Sequence, residues 1–166
     1  MARQVSDEAF SEFVHGAWPG LYRTAYLLLG DAGLAEDLVQ TALFRAARAW
    51  HRIDGQPEAY VRRILYTQNV SWWRARRHTE TALSSFDAPA AAVDTDLRLS
   101  LEQALARLTT RQRTVLVLRF FEDLTEVQAG AALGIGSGTV KSITRQALGR
   151  LRTLAPELAE LIGDPA

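Results

Sequence analysis

The sequence predicts an all-α protein made of two small helical domains joined by a flexible linker. Three observations lead there. Apolar residues recur at steps of three and four along most of the chain, no stretch alternates apolar and polar residues as a half-buried strand does, and residues 79–96 abandon the helical pattern altogether. With 166 residues, 48% hydrophobic and 23% charged, the chain can bury a core in one mid-sized domain or two small ones.

From Asp7 to Trp18, Phe10, Phe13, Val14 and Ala17 form one apolar face, Ser6 is placed to cap, and Asp7 and Glu8 favour the positive end. Pro19-Gly20 is expected to break this helix. Leu21 to Leu29 forms a second helix, apolar almost all round and so a core element, closed by Gly30-Asp31. Ala32 to Trp50 makes a third. Its stripe is Leu34, Leu38, Ala42, Ala46 and Ala49, which leaves Glu36, Asp37, Gln40 and Arg48 for solvent or a partner. His51 to Gln56 reads as a loop. Pro57 suits the first position of a fourth helix and Glu58 its positive end, and Tyr60, Val61, Ile64 and Leu65 carry its apolar face in a pattern that lasts to about His78. The first domain is thus residues 1–78.

The linker, 79–96, holds small and polar residues, Pro89 and no basic side chain. The second domain, 97–155, begins with a helix marked by Leu97, Leu101, Leu105 and Leu108. Thr109 to Gln112 reads as a capping box for a helix from Arg111 to Phe121, and Thr125 to Gln128 as another for a short helix to about Leu133. Gly134-Ile135-Gly136 turns the chain into a last helix, Ser137 to Leu154, stopped by Pro156, with 156–166 as a tail. The two helical blocks show no convincing internal repeat.

The 19 basic and 19 acidic residues cancel, but not locally. Segment charges are −2 over 1–50, +3 over 51–80, −2 over 81–110, 0 over 111–136, +4 over 137–152 and −3 over 153–166. Each domain therefore holds one basic stretch among acidic neighbours. Of the 19 basic residues 18 are arginine, whose planar fork suits phosphate and guanine edges. There is no cysteine, which excludes disulfide scaffolds, thiolate metal sites and sulfur nucleophiles. The N-terminus meets acidic residues before any apolar run, and the longest such run, Ala25 to Leu29, cannot cross roughly 30 Å of hydrocarbon, so no membrane insertion and a cytoplasmic location are expected.

Two stretches carry chemistry. Thr125 to Arg152 has the short helix, glycine-containing turn and longer basic helix of a DNA-binding helix-turn-helix. Val127, Ala131, Leu133, Ile135, Val140, Ile143, Ala147, Leu148 and Leu151 are expected to pack its helices together. Ser137, Gly138, Thr139, Lys141, Ser142, Thr144 and Arg145 are the candidates to enter a major groove. An ordinary helical hairpin with a basic solvent face is the plainer interpretation, opposed by the small turn, the caps and the segregated charge. The other stretch, Tyr60 to His78, interleaves Tyr66, Trp72 and Trp73 with five arginines, a composition suited to unpaired bases that stack on rings while arginines neutralise the strand. Neighbours on a helix diverge by about 100°, so one of Trp72 and Trp73 is expected in the core and the other partly out.

In this order and spacing the chain resembles the extracytoplasmic-function (ECF) sigma factors of bacterial RNA polymerase, closest to the actinobacterial sigma-E-like group. Ala35 to Ala42 resembles region 2.2, Pro57 to His78 regions 2.3 and 2.4, Leu97 to Phe121 region 4.1 and Thr125 to Arg152 region 4.2. The resemblance implies that residues 1–78 dock on polymerase and recognise and melt the minus-ten element, and that 97–155 reads the minus thirty-five element. It implies RNA polymerase core as a partner, through the β′ clamp coiled coil and the β flap, together with promoter DNA, and it leaves room for an anti-sigma factor. Carried onto this chain, the polymerase edge is Glu36, Asp37, Gln40 and Phe44, and the minus-ten set is Arg62, Arg63, Tyr66, Thr67, Asn69, Trp72, Trp73, Arg74, Arg76 and Arg77. Relatives commonly carry Asn where this chain has Thr67, and often a capping serine where it has Gly136; Ser137 is the expected substitute cap. Gly149, inside the last helix, has no evident purpose.

Catalysis is not expected. His15, His51 and His78 are isolated, no phosphate loop or carboxylate pair stands out, and no cofactor or metal is called for. The competing interpretation is a helix-turn-helix regulator whose N-terminal domain senses a ligand or dimerises, which would have no use for the Arg and Trp segment.

Overall fold

A computed structural model describes residues 2–76 and 95–158, and these are helical with no strand among them. In chain order the helices are α1 (Ala2–Leu29), α2 (Ala32–Ala49), α3 (Pro57–Arg76), α4 (Thr95–Ala106), α5 (Thr110–Leu116), α6 (Glu126–Leu133) and α7 (Ser137–Leu154). Short 3-10 turns follow α2 (Trp50–Arg52) and α7 (Pro156–Leu158). The chain divides into two compact units, one built on α1 to α3 and the other on α4 to α7. Most of the expected linker, His78 and the tail beyond 158 lie outside the described residues, whereas Thr95 and Asp96 already belong to α4.

In the first unit the core is formed by Leu21, Ala25 and Leu28 of α1, Ala35, Leu38, Val39, Ala42 and Ala46 of α2, and Val61 and Leu65 of α3, all fully buried. The expected stripe of α2 is buried at its centre, and Leu34 and Ala49 at its ends are half-buried. The turn after α2 brings Trp50 onto Phe10, edge-on at 5.0 Å between centroids, and onto Phe13 at 5.2 Å, geometries that aromatic pairs favour.

One expectation fails here. Pro19-Gly20 does not break the chain, and α1 runs straight through it as a single 28-residue helix. Proline removes one helical hydrogen bond and costs about 3 kcal/mol in a helix interior. Ala17 and Leu21, on either side, are both buried, and this packing, with the contact to α3 described below, offsets the loss.

The second unit is assembled from short helices with explicit starts. Thr109 caps α5, its hydroxyl accepting from the Gln112 N–H at 3.2 Å while the Gln112 side chain accepts from the Thr109 N–H at 3.2 Å. Thr125 and Gln128 do the same for α6 at 3.1 and 2.9 Å. Both expected capping boxes are thus formed. The helix ending at Phe121 is not uniform: after Leu116 it widens into a π turn, Val117–Phe121, closed by the Glu122 N–H on the Val117 carbonyl at 3.0 Å. Asp123 then turns the chain with a left-handed φ of 53°, a conformation aspartate tolerates better than most residues. At the far end Leu158 is buried and the Ser100 hydroxyl reaches Glu157. The Glu157 carboxyl, fully exposed, is held below the usual carboxylate range first by a backbone N–H and then by that hydroxyl.

The packing face of α6 differs from the expected one. Ala129 and Gly130 are buried, Leu133 and Ile135 are half-buried, and Val127 and Ala131 point outward, with Val127 70% exposed. The cap at Thr125 sets the helical phase, and Val127 and Ala131, four apart, share the opposite side.

Candidate nucleic-acid interface

The turn between α6 and α7 depends on three glycines. Gly134 ends α6 in the left-handed region (φ 68°, ψ 34°) and its N–H bonds to the Gly130 carbonyl, a conformation that costs glycine least. The Ile135 N–H shares that carbonyl at 2.9 Å. A Cβ on Gly130 would stand 2.7 Å from the Ile135 carbonyl oxygen, so the turn crosses α6 where a side chain is missing. Sequence reasoning singled out Gly134 and Gly136 but passed over Gly130, whose pairing with Gly134 four residues on was the available clue.

Gly136 is the N-cap of α7, with no side-chain cap; its carbonyl accepts from the Thr139 and Val140 N–H groups at 3.0 and 3.1 Å. Ser137 is therefore already the first helical residue and does not cap, contrary to expectation. Uncapped N–H groups and the positive end of the helix dipole face outward there, an arrangement that suits a phosphate.

Along α7 two faces separate cleanly. Val140, Ile143, Ala147, Leu148 and Leu151 are buried. Ser137, Gly138, Thr139, Lys141, Ser142 and Arg145 are exposed, as are Gly149 and Arg150. Thr144 departs from the expected set: it is half-buried and its hydroxyl donates to the Val140 carbonyl at 2.8 Å. No acidic residue interrupts this helix.

The first unit sorts its predicted residues less simply. Arg63 and Thr67 are exposed, the Thr67 hydroxyl donating to the Arg63 and Ile64 carbonyls at 3.0 and 3.1 Å. Two others are corrected by burial: Tyr66 is 5% exposed and Asn69 0%, so both belong to the interior of the unit, not its surface. Arg62, half-buried, is also engaged within the chain, bonded to the exposed Glu58 of its own helix and to the buried Thr24 of α1. Trp72, Trp73, Arg74 and Arg76 occupy the last turns of α3. Their side chains, including the expected in-and-out pair of tryptophans, lie outside the described set, as does Arg77.

On α2, Glu36, Asp37, Gln40 and Phe44 are all exposed and share one edge at helical spacing, with Phe44 65% exposed. An exposed phenylalanine beside carboxylates combines the apolar and polar contacts that protein-docking surfaces use. The second unit shows a similar feature that the sequence did not announce. Phe120 and Phe121 on the π turn are 60% and 41% exposed, with the Arg119 guanidinium 5.9 Å from the Phe120 centroid and its Nη1 bonded to the Leu124 carbonyl. Arg113 of α5 is only 5% exposed, with Nε and Nη1 enclosed and unbonded, and burial lowers its pKa.

Among the described residues no group of histidine or carboxylate side chains could hold a metal ion, and no helix is long and apolar enough to cross a membrane. Comparison with known proteins follows the same division into units. Residues 17–79 match the Sigma-70 region 2 family and residues 104–153 match Sigma-70, region 4. The chain is 37% identical over 150 residues to an RNA polymerase sigma-E factor of Streptomyces avermitilis, covering 86% of this chain and 83% of that one. It is 32% identical over 158 residues to the ECF RNA polymerase sigma factor SigL of Mycobacterium tuberculosis, covering 83% and 84%. Among solved structures it is similar to the sigma factor RpoE of Bartonella quintana, crystallised with the anti-sigma factor NepR, at a TM-score of 0.70 and 25% identity over 89% of this chain and 96% of that one.

Proposed function

The chain belongs to the sigma-70 family, among the ECF sigma factors of RNA polymerase, and from that membership we propose how its residues share the work of directing core polymerase to promoters. The observation that carries the reading is α7, a helix with aliphatic residues on one side, Lys141 and Arg145 among small polar residues on the other, and an uncapped N-terminus between them. Ser137, Gly138, Thr139, Lys141, Ser142 and Arg145 meet the minus thirty-five element in the major groove, where a long basic side chain can pair with guanine and the first-turn N–H groups with a phosphate.

Glu36, Asp37, Gln40 and Phe44 form the edge that docks on core polymerase. Arg63, Thr67 and the last turns of α3 face the minus-ten element, where Trp72 or Trp73 stacks on an unpaired base and Arg74, Arg76 and Arg77 neutralise the strand. The protein itself makes and breaks no bond; it supplies binding energy and geometry to the enzyme it joins, in the cytoplasm. An anti-sigma factor is a further partner, by analogy with the RpoE and NepR pair. A ligand-sensing regulator with a helix-turn-helix would not carry a region 2 match over residues 17–79, and that alternative is set aside.

Transcription in vitro with core polymerase and start-site mapping tests the reading. Transcripts starting at defined sites only when the protein is added are expected; the same products with core enzyme alone would overturn it.

A further inference from the structure

Arg62 lies on α3 one turn after Glu58 and reaches to α1. Its Nε and Nη2 donate to Glu58 Oε1 at 3.2 and 2.7 Å, and its Nη1 donates to Thr24 Oγ1 at 2.9 Å. The Thr24 hydroxyl, fully buried, donates in turn to the Gly20 carbonyl at 3.1 Å. Nη2 lies close over Gly20, only 3.3 Å from where a Cβ would stand. Two helices thus hold one guanidinium, whose rigid planar fork points separate N–H groups at the two acceptors where an ammonium is a single compact charge.

The place it grips on α1 is the turn that follows Pro19. Pro19 has no N–H to give to the preceding turn, and Gly20 adds backbone freedom. The side chain that fills the space beside Gly20 therefore braces α1 and fixes α3 against it in one operation. From Arg62 to Trp73 is eleven residues of helix, about 16 Å, so a tilt of roughly 10° at the grip would displace the far end by about 3 Å. Displacements of that size are costly wherever groups must meet in a fixed geometry.

We propose that Arg62 is a positioning residue for promoter melting, holding α3 on α1 through Thr24 and Glu58 so that the last turns of α3 meet the opened strand in the right place. This rests on the reading that those turns capture the minus-ten strand, and it removes Arg62 from the residues that touch DNA.

The test uses the full chain with core polymerase and four variants. Arg62→Lys keeps the charge and loses the fork, Thr24→Val keeps the shape and loses the acceptor, Thr24→Ser keeps the acceptor, and Trp73→Ala probes the underlying reading. Arg62→Lys and Thr24→Val are each expected to slow opening of a duplex promoter about tenfold, the scale of one charge-assisted hydrogen bond, while binding to core polymerase stays within about twofold and Thr24→Ser opens normally. A phosphate contact by Arg62 predicts instead that Arg62→Lys and Thr24→Val open the promoter normally, and that result overturns the proposal. Equal loss of core binding and opening also overturns it, since the grip would then be a general support of the unit. If Trp73→Ala slows opening and Thr24→Val does not, the positioning role alone falls; if Trp73→Ala opens normally, the reading beneath it falls as well.

Discussion

Helices α3 and α7 are of similar length, both amphipathic and both arginine-bearing, yet one discloses its surface in its sequence and the other conceals it. In α7 the buried residues are aliphatic or alanine and the exposed ones polar, small or cationic, so residue type sorts the faces. In α3 the same residue types serve both purposes. Tyr66 and Asn69 are interior, Arg62 is half-buried and held by Glu58 and Thr24, and Arg63 and Thr67 remain at the surface. A helix read by polarity shows its functional face only when core and surface draw on different amino acids.

The largest effect expected from this contrast is on Tyr66. Tyr66→Ala should destabilise the first unit by about 3 kcal/mol, as large-to-small changes in a core do, visible in urea denaturation; unchanged stability would put the ring back on the surface. Next, Lys141→Ala combined with Arg145→Ala should weaken minus thirty-five binding about 100-fold, with each contact worth about 1–3 kcal/mol, and should leave the melting temperature unchanged because both side chains are exposed. A fall in melting temperature with binding would mean that the faces of α7 are not separate after all. Thr125→Ala should cost about 1 kcal/mol by removing the α6 cap, read by thermal unfolding of the second unit. The smallest effect should be a gain: Gly149 is exposed with open space around it, so Gly149→Ala should stabilise α7 by up to about 1 kcal/mol. A loss there would show that something approaches this glycine closely.

Much of the second unit was legible because its elements start at chemical punctuation. Thr109 with Gln112 and Thr125 with Gln128 mark helix starts through side-chain geometry that is local in sequence. The glycine turn was legible for the same reason. What local patterns could not show were decisions made by distant neighbours. Pro19-Gly20 stops a helix in isolation, and here it does not because buried residues flank it and Arg62, 38 positions from Thr24, reaches it. Burial of Asn69, the outward phase of Val127 and the exposed pair Phe120 and Phe121 likewise depend on which helix packs where. The edge of α2 that we propose for polymerase docking was visible because carboxylates and Phe44 lie off the apolar stripe and are exposed.

The short helices of the second unit bear on how it comes to exist. Helix α5 with its π turn spans twelve residues, Thr110–Phe121, and α6 eight, at or below the roughly 12–15 residues at which an isolated helix holds even marginally in water. Neither can form first and wait for the other. Their caps lower the cost of nucleation but do not remove it, so they are expected to become ordered only together with α7, which they contact most. A partly folded second unit would then lack the turn that aims α7 as well as part of its core. The unit would be either complete and able to read a promoter or too disordered to read any, and half-competent species that bind DNA without selecting it would be scarce.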